Sequence, residues 1–298
     1  MTVRSHQPLV GSTERIVLGA LMALVISVAV NAGQTPAPAT PAAPAPQTPA
    51  APGGRGGPTN LAPIPGTPWR IHDAARPQPR VVTPGATVAD PPSDAIVLFN
   101  GKDLSKWDLQ KGGQTTDATW PVKDGYFEVG PGSGSIYTRE NFGDVQLHLE
   151  FAEPVPVTGN SQGRGNSGVK FMGIYEIEIL DAWQNPTYAD GVEGAIYGEQ
   201  PPLVNASKKP GEWQVFDLFF EAPKFNGATL VAPAYVTVIW NGVLVQHRRA
   251  IMGNTSPTTT PHTYTAHAAE LPIMLQDHGH PVRFRNIWVR RLTGYDQP

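Results

Sequence analysis

The stretch "VQLHLEFA", residues 145–152, decides the fold. Apolar and polar residues alternate through it, and a period of two belongs to a strand with one face in a core and the other turned away. Leu147, Leu149 and Phe151 should therefore point inward, and Gln146, His148 and Glu150 outward. The same short, β-branched and aromatic runs recur as "AIVLFN" (95–100), "GYFEV" (125–129), "NSGVKFM" (166–172), "IYEIEILDAW" (174–183), "WQVFDLFFEA" (213–222) and "AYVTVIW" (234–240), separated by Gly, Pro, Asn and Asp. Asn241-Gly242 between two alternating runs predicts a type I′ hairpin turn. No segment carries a helical apolar stripe. About a dozen strands without a helix predict an all-β fold, an antiparallel β-sandwich or barrel.

Alternation also sorts the ionisable residues by face. In "YEIEILD", Tyr175, Ile177 and Ile179 go inward while Glu176 and Glu178 go outward. In "LPIMLQDHGHPVRFRNIWVRRL" (271–292), Ile273, Leu275 and Asp277 share one side, Met274, Gln276 and His278 the other, and Arg283 and Arg285 one side of the last strand. Solvated strand faces favour Lys, Thr, Glu and Ser. Here His, Gln, Glu and Arg recur, the types that recognise hydroxyls and move protons. One concave polar face holding a sugar is the expectation.

The ends of the chain read differently. Residues 1–32 hold Arg4 and Arg15, the apolar run Ile16–Val30, and small residues up to Ala32. Its 15 residues fall short of the roughly 20 that a membrane span needs, so this is a secretory signal and the protein is expected in the periplasm or outside the cell, free of the membrane after cleavage. Residues 33–93 are rich in Pro and Ala and read as a disordered linker, leaving 94–298 as the folded domain. Deletion of residues 33–90 should then leave the domain folded. The chain has no cysteine, which removes disulfides and thiolate chemistry together. A net charge of −3 with scattered Lys and Arg leaves no footprint for nucleic acid.

The blocks "LFNGKDLSKW" (98–107), "GNSGVKFMGIYEIEILDAW" (165–183), "NPTYADGVEGAIYGEQPPLVNASKKPGEWQ" (185–214) and "LQDHGHPVRFRNIWVRRL" (275–292) resemble the bacterial 3-keto-disaccharide hydrolase family over roughly residues 94–293. Glu178 departs from the resemblance, since many members carry Gln there. The resemblance implies a concanavalin A-like jelly-roll sandwich acting on glycosides already oxidised to a ketone at C3. Such a ketone acidifies the C2 proton; a base forms the enolate, the enolate expels the C1 substituent, and water adds to the enone. That route needs a base, a partner for the enolate oxygen and a proton donor. Glu176 or His148 is expected as base, Arg285 with Gln276 beside the oxyanion, and His278 as acid or orienter. Glu178, Glu150, Asn166, Asp277, Trp183 and Tyr197 are expected to bind substrate. A functional link to a sugar C3 dehydrogenase follows from the substrate.

Two other activities fit the same residues. A laminarinase-type glycosidase would use "EIEILD", but retention wants carboxyl groups about 5 to 5.5 Å apart and an i, i+2 pair lies nearer 7 Å. A lectin-like module would use Trp107, Trp120, Trp183, Tyr188 and Tyr197 as stacking platforms, although most Trp in a sandwich are core. No cofactor is called for. A divalent metal stays open, with His262, His267, His278 and His280 near Asp277 and Glu176, though no spacing matches a recognised site.

Overall fold

The structure, a computed structural model, describes residues 61–294. The signal segment and residues 33–60 of the linker lie outside the described residues. The chain divides into two compact units at Ala74/Ala75. Of the first, residues 61–74 form a small closed turn in which Pro63 and Arg70 make an antiparallel bridge and Ile64 N–H donates to Trp69 O at 2.9 Å.

The second unit carries sixteen strands among the described residues, in chain order β1 Ile96–Phe99, β2 Trp107–Lys111, β3 Gln114–Asp117, β4 Val122–Lys123, β5 Tyr126–Glu128, β6 Ser135–Phe142, β7 Val145–Ala152, β8 Ser167–Phe171, β9 Tyr175–Ile179, β10 Gln214–Glu221, β11 Lys224–Asn226, β12 Thr229–Ala232, β13 Tyr235–Trp240, β14 Val243–Ala250, β15 Leu271–Leu275 and β16 Arg283–Arg291. One sheet runs β14-β13-β10-β7-β16-β5-β4, with β1 also paired to β16; the other runs β3-β2-β6-β15-β8-β9, and β11-β12 is a separate hairpin. Every pairing is antiparallel. The all-β antiparallel sandwich expected from the alternation is the fold.

The alternation works because each inner face needs an apolar partner. Leu147, Leu149 and Phe151 of β7, Phe216, Leu218 and Phe220 of β10 and Phe284 of β16 are buried on one side, and Val169, Phe171, Ile177, Ile179, Ile273 and Leu275 on the other. Phe171 of one sheet stacks on Phe220 of the other at 4.4 Å and 1°. Trp107 and Trp120 belong to this core and not to any sugar platform: they are 0% and 2% exposed, and Trp107 Nε1 donates to Leu98 O at 2.9 Å. The β13–β14 turn falls where Asn-Gly predicts it, with both residues in the left-handed region at φ 51° and 81°.

Two features depart from the sequence reading. β16 carries a bulge at Asn286 (φ 46°), so that Arg285 pairs with Glu150 but Trp288 pairs with His148. The extra residue shifts the alternation, sending Ile287 and Val289 inward and Trp288 to the outer face. The linker assignment fails for residues 75–93, which lie along the outer side of β16 as an ordered strap. Ala89 O accepts from Asn286 Nδ2 and Trp288 Nε1, both at 2.9 Å. Just beyond it, Asp94 binds Arg290 at 2.7 Å and Arg80 at 3.0 Å. Its Pro content hid this packing, because the strap is tied down by its carbonyls and charges and not by a periodic apolar face.

Candidate active site

The site lies on the outer face of the six-stranded sheet, where β8, β9 and β15 run side by side. Their inward residues are core, so the intervening ones, Gly168 and Lys170 on β8, Glu176 and Glu178 on β9, and Gln276 and His278 just past β15, must face out. Register brings them together: Lys170 pairs with Glu176 and Gly168 with Glu178, while Gln276 N–H donates to Gly168 O at 3.0 Å. With Asn166, Tyr197, Thr255 and Pro257 they line a pocket of about 140 Å³. That is well below the roughly 300 to 1,000 Å³ of sites for drug-sized ligands, and suits a single ring.

A glycine opens the floor. A Cβ at Gly168 would come within 2.4 Å of Glu176 Oε1, so any other residue would displace that carboxyl group. Glu176 Oε2 instead meets Lys170 Nζ at 2.9 Å. Glu178 Oε1 accepts from Asn166 Nδ2 at 3.2 Å, and Asn166 is held from behind by Gln162 O and Oε1, also at 3.2 Å. The free edge of β9 is covered by the segment after Gly194, through Gly194 N–H to Glu178 O, Glu178 N–H to Ala195 O and Tyr197 N–H to Glu176 O. Glu176 N–H is satisfied by Thr255 Oγ1 at 3.1 Å.

Environment separates the two carboxyl groups. Burial raises Glu176 above its ordinary range, and the charge and hydrogen bond of Lys170 oppose it. Burial and then the neighbouring charge of Glu176 raise Glu178 much further, against Lys170 and Asn166. Burial lowers His278, and burial raises Tyr197. The face therefore favours the proton on Glu178 more strongly than on Glu176, whose charged form Lys170 supports, and favours the neutral ring of His278. Pairs pushed apart in this way are how one site supplies both a base and an acid. Gln276 Oε1 is buried without a hydrogen-bond partner, and the residue lines the pocket. An orphaned acceptor there is satisfied by a donor from a ligand.

Comparison with known proteins assigns the chain to a family. Residues 94–290 match the 3-keto-alpha-glucoside-1,2-lyase-like domain. The chain belongs to that family. A crystal structure of a candidate glycosyl hydrolase from Parabacteroides distasonis is similar to it at 44% identity with a TM-score of 0.69, over 76% of this chain and 99% of that one. A second candidate glycosyl hydrolase from the same organism shares the fold at 21% identity and a TM-score of 0.50, over 67% and 94%. No curated protein matches. The family and the first neighbour place the chain among carbohydrate-active enzymes.

In this family member the sequence-predicted residues do not form one site. Glu176, Glu178, Asn166, Gln276, His278 and Tyr197 converge. His148, Glu150 and Arg285 do not; β7 and β16 belong to the other sheet, and these three form a network on its outer face. His148 Nδ1 lies 2.7 Å from Asp217 Oδ1, and its ring stacks on Trp288 at 5.0 Å and 8°. Arg285 Nε and Nη2 both lie 2.6 Å from Glu150 Oε2, and its guanidinium sits over Trp213 at 4.1 Å. Asn286 Nδ2 donates to Glu150 Oε1 at 3.0 Å. The expectation of a single face confused two outer faces that share a pattern. Alternation says which way a residue points from its strand but not to which sheet the strand belongs.

Asp277 faces neither carboxyl group. Its carboxylate accepts from Gly134 N–H and Gly279 N–H at 2.9 Å each and shapes the loop before β16. Trp183 does not line the pocket and has Lys209 6.0 Å above its ring, and Tyr188 is half-exposed. Among the described residues no three His, Asp or Glu side chains converge as metal ligands. His262 meets Glu199 at 2.8 Å, His267 meets the Tyr175 hydroxyl at 2.8 Å, and His278 stacks with His280. Lys170, Thr255 and Pro257 escaped the sequence reading. Lys170 had a signal: it follows Gly168 by two, and a glycine inside a strand marks a close approach on that face.

Proposed function

We propose that this pocket cleaves 3-keto-glycosides by elimination and hydration. The Glu176 carboxylate removes the C2 proton, and the C–H electron pair forms the C2–C3 double bond with the charge on the C3 oxygen. The Lys170 ammonium, already 2.9 Å from Glu176, supplies the positive charge beside that oxygen. This role replaces the one expected of Arg285. As the C3 ketone re-forms, the C1–O bond breaks, and the protonated Glu178 gives its proton to the departing oxygen. Water then adds at C1 of the enone, Glu176 returns a proton to C2, and Glu178 takes the proton released by water. Net hydrolysis results and both carboxyl groups regain their starting forms. Neutral His278 and the unpaired Gln276 Oε1 take hydrogen bonds with the ring hydroxyls and hold it in register.

The observation that carries this reading is the split between Glu176 and Glu178 around one lysine in a pocket with an unsatisfied acceptor. Membership in the lyase-like family supports the substrate class. The reading also includes export of the protein and supply of its substrate by a sugar C3 dehydrogenase. Incubation with a 3-keto-glucoside and with its unoxidised parent tests it: turnover of the keto sugar alone is expected. Cleavage of the parent alone would instead make this a classical glycosidase, and binding without turnover a lectin.

A further inference from the structure

One wall of the pocket is a long connection, and a single carboxylate closes it. Between β14 and β15, Thr255 and Pro257 reach the pocket. The loop that carries them is pinched at its base, where Asn254 N–H donates to Thr263 O at 3.0 Å. Glu199, whose side chain is fully buried, holds both sides of that base. Its Oε2 accepts from Met252 N–H at 2.7 Å, and its Oε1 meets His262 Nδ1 at 2.8 Å. His262 Nε2 in turn reaches Ser256 O at 3.1 Å, inside the loop. Both imidazole nitrogens thus face oxygens, and the ring links the Glu199 carboxyl group to the inside of the loop.

The position of Glu199 relates this to the chemistry. It lies two residues after Tyr197, on the segment that covers the edge of β9 and caps Glu176 O. The loop it holds returns the favour through Thr255, whose Oγ1 donates to Ile174 O at 2.7 Å and accepts from Glu176 N–H. Contact is close: a Cβ at Gly198 would lie 3.0 Å from Ser256 O.

We propose that Glu199, through His262, is a positioning residue that fixes the 252–263 loop as the wall of the sugar pocket and so governs how tightly the ring is held. The proposal rests on the function proposed above for its substrate, but the clamp itself does not. Glu199→Ala removes both anchors. Glu199→Gln keeps them, because the amide oxygen still accepts from Met252 N–H while its NH₂ donates to the Nδ1 of a neutral His262 that continues to donate to Ser256 O.

Two readouts on the full chain separate the cases. In hydrogen–deuterium exchange without ligand, residues 252–263 of Glu199→Ala should exchange about tenfold faster than the parent, as expected for the loss of one or two buried hydrogen bonds, while β7, β10 and β16 stay protected. With a 3-keto-glucoside, KM should rise about tenfold with kcat within about threefold, and Glu199→Gln should restore both toward the parent. Parental exchange in the loop of Glu199→Ala, or equal damage from Gln and Ala, overturns the clamp. If Glu199→Ala does not fold, His262→Ala takes its place: faster exchange confined to the loop supports the clamp, and unchanged exchange overturns it. If the parent turns over no keto sugar, the proposed function fails while the exchange comparison still decides the clamp.

Discussion

The molecule has two polar outer faces built from the same residue types, and they are in opposite states. On the eight-stranded sheet, Asp217 partners His148 and Arg285 and Asn286 partner Glu150, while Trp288 stacks on His148 and is held with Asn286 by the strap. Burial works to raise Glu150, but hydrogen bonds from His148, Asn286 and Arg285 outweigh it and hold the carboxyl group at about 2. Burial works to lower His148, but Asp217 and Glu150 outweigh it and raise the ring. On the six-stranded sheet burial wins. Burial pushes Glu178 towards its protonated form and His278 towards its neutral one, and Gln276 Oε1 is left without a partner. Charges in their favoured forms with full complements of hydrogen bonds stabilise a fold. Charges held in unfavoured forms around an open space do chemistry at a cost to stability.

If the comparison is sound, substitutions on the two faces have opposite signatures. The largest effect is expected from Glu178→Gln, which removes the proton donor and should lower turnover of a 3-keto-glucoside by about 10² to 10⁴. The same variant should be more stable than the parent at alkaline pH. Because the folded pKa of Glu178 is raised above its ordinary 4.5, the stability linked to its proton is fully present below that value and is lost as pH rises through the folded one. Glutamine has no such slope, so thermal unfolding from pH 5 to 9 should show the two curves crossing or diverging in its favour.

His148→Ala should do the reverse. It leaves Asp217 without its imidazole partner and removes a buried ring from beneath Trp288, costing about 2 to 4 kcal/mol in denaturant unfolding, with turnover per folded molecule within about twofold. The acid side sharpens this further. Glu150, held at about 2 against an ordinary 4.5, contributes stability that is present above about 4.5 and lost as pH falls towards 2, so Glu150→Gln should flatten the acid limb of the stability profile.

A smaller effect is expected from deleting residues 75–90, which strips the cap from Trp288 and Asn286. The loss should be about 2 kcal/mol, close to the exposure of one large apolar side chain. An unchanged melting temperature would return the strap to the status of linker. Arg285→Lys should matter least. It keeps the ion pair with Glu150 but weakens the planar contact with Trp213, for about 1 kcal/mol and no fall in turnover.

The sandwich was legible because the alternation in β7, β9, β10 and β13 follows from a two-layer core, and the Asn-Gly turn because its geometry is local. Half of the site was legible for the same reason. Glu176, Glu178, Gln276 and His278 could be placed on outward faces from period two alone. Their separation from His148 and Arg285 could not, because it depends on β15 joining β8 while β16, only a few residues later, joins β7. That is a long-range pairing with no local signal. The bulge at Asn286 and the strap were hidden likewise, one being a single inserted residue and the other a Pro-rich segment fixed by two side-chain donors. Lys170 was the residue the alternation offered and the sequence reading passed over.

The most direct test places one residue from each face in the same assay. Solvent deuterium exchange at C2 of a bound 3-keto-glucoside reports the proton abstraction step whatever happens to the leaving group. Glu176→Gln should abolish exchange while remaining folded, and His148→Gln should exchange within about twofold of the parent. Loss of exchange in His148→Gln with exchange retained in Glu176→Gln would put the base on the other sheet and contradict the account.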